Sequence, residues 1–323
     1  MKRSNLRPRL AALLTAIVVS VGLLGLSTAP AWAAGTVTVF PVSSQPYYIT
    51  SGPDGNLWFT QGVTGQIGRI ATSGTITEFS TPNKHHTANS GPVGITAGPD
   101  GNLWFTEQNA GQIGRITTSG TITEFPIPTA NSGPLGITAG PDGNLWFTEK
   151  QVDKIGRITT SGTITEFPVS STPEAITAGP DGNLWFTDGL KIGRITTSGS
   201  ITEFPVPHSS LGITAGPDGN LWFTMFYNNM IGRITPAGVV TSFTMNKCGT
   251  DAICGPLGIT TGPNGNLWFT LHDDAAVEQI TTSGSFVSGF RTGSGPEGIT
   301  VGPDGNLWFT DLGGFSVGRF VAS

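Results

Sequence analysis

Apolar and polar positions alternate along this chain in short runs, and the runs recur. In one stretch, Ile137-Thr138-Ala139 is a brief apolar run halted by Gly140-Pro141-Asp142-Gly143. Asn144 to Thr148 then sets Leu145 and Phe147 on one side and Trp146 and Thr148 on the other, the period of two that marks a strand. Ile155-Gly156-Arg157-Ile158 reads as a third strand. Ser161-Gly162 reads as a tight two-residue hairpin turn, and Thr163 to Phe167 as a fourth strand stopped by Pro168. A helical period is not found anywhere in the repeats.

The same text returns seven times. Gly-Pro-Asp-Gly-Asn-Leu-Trp-Phe-Thr begins at Gly52, Gly98, Gly140, Gly179, Gly216, Gly262 and Gly302, with Asn264 replacing the Asp once. Each copy lies in a unit of about forty residues, the period of propeller blades. The pattern predicts an all-β fold, a seven-bladed β-propeller of four-stranded antiparallel blades. A motif present seven times is scaffold; chemistry belongs where the copies differ.

Two finer expectations follow. With a two-residue turn, Arg157 stands opposite Glu166, and the same spacing pairs Arg69 with Glu78, Arg115 with Glu124 and Arg194 with Glu203. The chain ends on a third strand, Val317-Gly318-Arg319-Phe320, without a fourth after it. Thr36-Val37-Thr38-Val39-Phe40-Pro41 resembles the missing strand, so both ends of the chain build the last blade and close the ring.

The first residues do not fit this scheme. Lys2, Arg3, Arg7 and Arg9 precede an apolar stretch from Leu10 to Leu26, and Ala31-Trp32-Ala33 fits a small-x-small cleavage site. This reads as a secretory signal peptide over residues 1–33, leaving a propeller over 34–323. The expected product is secreted and extracellular, off the membrane once cleaved. Its 12 Lys+Arg against 21 Asp+Glu leave a net charge of −9. An acidic surface without a basic stripe is a poor match for nucleic acid. A monomer is expected. Cys248 and Cys254, close together in a secreted chain, are expected to form a disulfide.

In a propeller the first strand of each blade lines the central channel. The Gly-Pro-Asp-Gly and Ser-Gly turns then share one nearly uniform face. The links between blades, and between second and third strands, form a variable face where a small-molecule or peptide ligand is expected at the channel mouth. Residues following Trp-Phe-Thr differ by blade: Gln61, Glu107, Glu149, Asp188, Met225, Leu271 and Asp311. So do residues opening the inner strands: Tyr47, Val93, Leu135, Glu174, Leu211, Leu257 and Glu297. Glu297 and Asp311 share the last blade. His272, Asp273 and Asp274 follow Trp-Phe-Thr one blade earlier, and Tyr47 and Tyr48 lie one blade on across the closure. A histidine, carboxylates and a phenol in one sector make a candidate site for a hard cation and acid–base chemistry, competing with ordinary solvated loops. His85, His86 and His208 sit in inter-blade links and are weaker candidates.

The blade text Gly-Ile-Thr-x-Gly-Pro-x-Gly-x-Leu-Trp-Phe-Thr-Glu, then Ile-Gly-Arg-Ile-Thr, then Ile-Thr-Glu-Phe-Pro, closely resembles the virginiamycin B lyase (streptogramin B lyase) family over nearly the whole mature chain. The resemblance implies a seven-bladed propeller and a magnesium-dependent elimination that opens a cyclic depsipeptide at its ester, with antibiotic resistance as the outcome. The family's first-blade tyrosine is matched by Tyr47 in Pro46-Tyr47-Tyr48-Ile49-Thr50. Its two site histidines fall on Leu257 and Glu297, one site glutamate on Gly295, and a later glutamate near Asp311 and Leu312.

Two readings stay open on these residues. In the first, a carbon–oxygen lyase with an altered site uses His272 as acid–base, Glu297 and Asp311 on Mg2+, and Tyr47 to orient or donate. In the second, the propeller binds a peptide, glycan or protein partner without catalysis.

Overall fold

The computed structural model describes residues 35–82, 91–248 and 253–322. It contains 28 strands and two short 3-10 turns, Phe226–Asn228 and Asn246–Cys248, among the described residues. The strands form seven four-stranded antiparallel sheets. In six of them the four strands are consecutive in sequence. The seventh places the first strand, Gly35–Pro41, against the last, Ser316–Ala322, with Val37 opposite Phe320 and Thr38 opposite Arg319. The expected closure by both chain ends is present. Each inner strand touches those of the neighbouring blades, including blade 7 (opening at Pro296) against blade 1 (opening at Ile49), so the ring is complete.

The repeated motif explains why the blades stack. Leu, Trp, Phe and Thr of every second strand are buried. The Trp ring lies against the Phe of the fourth strand, as Trp146 on Phe167 at 5.5 Å. Its Nε1–H donates to the Asp of the preceding turn, as Trp146 to Asp142 at 3.0 Å. Asp142 also accepts from the Asn144 backbone and side chain. These carboxylates are therefore committed to turn chemistry, and in blade 6 Asn264 does the same for Trp268.

The structure corrects the hairpin register. Thr159 N–H donates to Thr163 O and Gly162 N–H to Thr159 O, with Gly162 at φ +99°. That is a three-residue loop with glycine in the left-handed region, so the pairing slips by one. Gly156 faces Glu166, and Arg157 faces Thr165. The arginines thus face away from the glutamates. Arg157 covers Trp146 at 5.6 Å and Phe167 at 5.7 Å, and donates to Thr197 O of the next blade. Arg69, Arg115 and Arg194 repeat the arrangement, and Arg319 closes it onto Thr72 O. A one-residue slip moves a side chain to the other sheet face, which turns a proposed ion pair into a clamp between blades.

Cys248 and Cys254 are disulfide-bonded, as expected. No helix among the described residues is long and apolar enough to cross a membrane. The signal segment and the His85–His86 pair lie outside the described residues.

Candidate functional site

The threonine that ends each Trp-Phe-Thr builds the site from below. Its hydroxyl accepts from the inner-strand N–H of its own blade and donates to a carbonyl of the next. Gly258 N–H donates to Thr270 Oγ1 at 2.8 Å, and Thr270 donates to Glu297 O at 2.8 Å. The donors continue round the ring: Thr60 to Val93 O, Thr106 to Leu135 O, Thr148 to Glu174 O, Thr187 to Leu211 O, Thr224 to Leu257 O and Thr310 to Tyr47 O. The seven acceptors are the seven variable residues opening the inner strands. Their side chains differ, but their backbones are fixed by one repeated bond of about 1 kcal/mol each.

Close packing of the inner strands demands small residues one step further along. A Cβ at Gly258 would lie 2.3 Å from Glu297 O, so glycine is required there. Gly94, Gly136, Ala175, Gly212 and Gly298 occupy the equivalent places. Blade 1 has Tyr48 instead.

At the mouth of the ring, on the variable face, is a cavity of about 500 Å³. Tyr47, Tyr48, Leu257 and Glu297 line one side. Val93, Leu135, Lys150 and Glu174 line the other, with Gln108 and Asn109 from a loop between second and third strands. Below it an axial chamber of about 160 Å³ carries one isoleucine from each blade, and Tyr48 and Leu257 line both spaces. Lys150 and Glu174 are paired at 2.7 Å. Burial pushes the Glu297 carboxyl up to about 7. Burial first, and then the negative charge of Glu297, raises the Tyr47 phenol. Tyr48 is raised in the same way, with Glu174 adding to it.

Of the residues predicted from sequence, Tyr47 and Glu297 meet in this cavity. Asp311 is not among its lining residues: it is 3 % exposed and accepts from Ser294 Oγ at 2.7 Å and Gly314 N–H at 3.3 Å. His272 sits behind the wall. Its backbone N–H donates to Gly255 O, and its ring Cε1 is 2.8 Å from where a Gly295 Cβ would be. Its Nδ1 is buried without a hydrogen-bond partner among the described residues. Asp274 is paired with Arg291 at 2.9 Å. His208 lies in the link before blade 5, outside the cavity lining.

The positions after Trp-Phe-Thr prove to be buried inside the blades rather than around the mouth, because they point with Leu145 and Phe147 into the seam. Glu107, Glu149 and Asp188 are fully enclosed, facing Glu124, Glu166 and Glu203 of their own fourth strands. Sequence reasoning missed Lys150, and it named Glu174 and Tyr48 without giving either a role in the site. Glu174, the one acidic residue among Val93, Leu135, Leu211 and Leu257, was the available signal.

The Mg2+ implied by the resemblance finds a poor donor set. Glu297 and Asp311 are not brought to one space, and no group of three or more His, Cys, Asp and Glu is placed to hold a metal among the described residues. These residues do not fit the ion.

Fold and cavity together define a closed β-propeller with an axial cup. The chain belongs to the virginiamycin B lyase family, whose sequence profile matches residues 31–188 and 210–323. It is similar to a solved streptogramin B lyase at 36% identity, covering 91% of this chain and 100% of that one, with a TM-score of 0.83. It is equally similar, at 36% identity, to virginiamycin B lyase from Staphylococcus aureus, covering 89% of this chain and 99% of that one with a TM-score of 0.80. A third likeness, at 36% identity, 89% and 99% coverage and a TM-score of 0.81, is to a catalytically inactive histidine-to-alanine variant of the S. aureus enzyme with quinupristin. No curated protein sequence matches the chain significantly.

Proposed function

We propose that this chain is a secreted binding member of the virginiamycin B lyase family, which takes a compact, largely apolar peptide ligand into the axial cup. Cyclic depsipeptides of the streptogramin B class are the first ligands to try. The observation that carries this reading is the cup itself: Leu257, Leu135 and Val93 form apolar walls between two tyrosines and a fixed Lys150–Glu174 pair. The family resemblance puts histidines at 257 and 297, where this chain has leucine and glutamate. The solved S. aureus variant is named as catalytically inactive through loss of a single histidine. With the carboxylates also apart, elimination by the family's route lacks its parts here.

One observation favours a second, catalytic reading. A carboxyl near 7, beside two phenols, has the proton affinity of a general base at neutral pH. In that reading Glu297 takes the proton from the carbon next to the one that bears the ester oxygen; the C–O bond breaks, a C=C bond forms and the acyl part leaves as a carboxylate, giving a linear product of unchanged mass.

Mass spectrometry with calorimetry on virginiamycin B and the purified mature chain separates the two. Binding with the antibiotic recovered intact supports the first reading. A linear product of unchanged mass, lost in Glu297→Gln, replaces it with the second. Absence of binding overturns both. Secretion is tested separately: N-terminal sequencing of protein from culture medium is expected to begin near Ala34.

A further inference from the structure

The cup is lined by three charged side chains, and two of them cancel. Lys150 and Glu174 are 2.7 Å apart, so that side presents little net charge. Glu297 is different. Among the described residues it has no ion-pair or side-chain hydrogen-bond partner, and only burial shifts its titration. The groups around it are known from each neighbouring strand: Tyr47 and Tyr48 of blade 1, Leu257 of blade 6, Asp311 of its own blade held by Ser294 and Gly314, and His272 behind Gly295. None of these is placed as a counter-cation in the cup. A carboxylate so placed is costly unless a partner arrives, and truncated or absent partners are what make buried charges expensive.

Chemistry identifies that partner. It must be positive, because Glu297 supplies the net charge of the cup. It must tolerate an apolar surround, because Leu257 stands on one flank of Glu297. It gains from aromatic faces, because Tyr47 and Tyr48 line the other flank, and a cation over a tyrosine ring is worth about 0.5–2 kcal/mol as water is excluded. It must also be small enough to share about 500 Å³ with the rest of its molecule. An acidic chain favours the approach of such a ligand. A weakly hydrated ammonium on an apolar body meets all four conditions; a carboxylate, phosphate or neutral peptide meets the shape alone.

We propose that the ligand of this cup carries a tertiary or quaternary ammonium group, which Glu297 pairs while Tyr47 and Tyr48 enclose it. This rests on reading the mouth cavity as a ligand site, and it goes further by fixing the ligand's charge. Glu297 is then a specificity residue rather than a base, and Tyr47 acts through its ring as well as its hydroxyl.

The test is an NMR or calorimetric titration of the purified mature chain with phenyltrimethylammonium and with its neutral near-isostere 2-phenyl-2-propanol, with virginiamycin B in parallel. The cation is expected to bind at least tenfold more tightly than the alcohol. Glu297→Gln is expected to remove that preference while leaving the alcohol unchanged, and Tyr47→Leu to weaken the cation severalfold. A permanently charged probe does not titrate, so any pH dependence belongs to the protein. Its affinity should rise about tenfold from pH 6 to pH 8 as Glu297 ionises, and Glu297→Gln should be flat. The wild-type pH series decides the matter even if the variant does not fold. Equal binding of cation and alcohol, or an unchanged cation affinity in Glu297→Gln, overturns the proposal. Virginiamycin B binding beside cation indifference leaves the cup reading intact and removes this one. Failure of all three ligands removes both.

Discussion

The seams of blades 2 to 4 and the cup at the channel mouth both hold carboxyls displaced upward by burial, and they differ in what completes them. In the seams, Glu107 and Glu149 are pushed up to about 8 and Asp188 to about 6, by burial first and then by a second carboxylate close by. Both oxygens of Glu149 lack an ordinary donor, while Glu166 lies within hydrogen-bonding reach. A proton shared between the two acids resolves this, with Lys154 balancing the remaining charge at 3.5 Å. In blade 4, Lys191 does the same for Asp188 and Glu203, at 2.8 Å from Glu203. These pairs are closed by the protein itself. Glu297 faces open space and is completed by nothing on the chain. A displaced carboxyl marks a site only where a ligand has room to answer it.

The seams offer the larger effect. An acid whose folded value lies above its unfolded one imposes no penalty below about 4.5, and destabilises progressively as pH rises through about 8. Thermal or denaturant unfolding of the wild type should therefore show stability falling between pH 5 and 9. Glu149→Gln should flatten that slope and be more stable than wild type at pH 9 by about 1–3 kcal/mol. A variant less stable than wild type at pH 9 would show that the shared-proton account is wrong.

Glu297→Gln should share part of the alkaline gain and add a second effect. Burial holds its carboxyl at about 7, so removing it should also relieve a penalty that builds up between about pH 4.5 and 7, and unlike Glu149→Gln it should change ligand recognition. Unchanged cation recognition in Glu297→Gln, or altered recognition in Glu149→Gln, would erase the distinction between cup and seam. The smallest effect tests the register. A double-mutant cycle on Arg157→Ala and Glu166→Ala should give a coupling below about 0.5 kcal/mol, since the two point to opposite faces of the sheet. A coupling near 1 kcal/mol would restore the cross-strand pair.

Seven repeats of a period-two pattern fixed the blade count, the strand order and the ring closure, because alternation and turn residues act locally. The disulfide was legible for the same reason: Cys248 and Cys254 are six positions apart. Hairpin register was not, since a glycine in the left-handed region adds one residue to the turn without altering the apolar pattern on either side. The site was half legible. Tyr47 and Glu297 stand out because they open inner strands, and in this fold those residues meet at the axis.

Only the tertiary structure decided which acids reach solvent. Asp311 and Glu297 look alike as exceptions in a repeat, but one points into a seam and the other into the cup. Sequence spacing gives the strand face on which a side chain stands; whether a neighbouring blade or open space lies beyond that face depends on how seven sheets close around one axis.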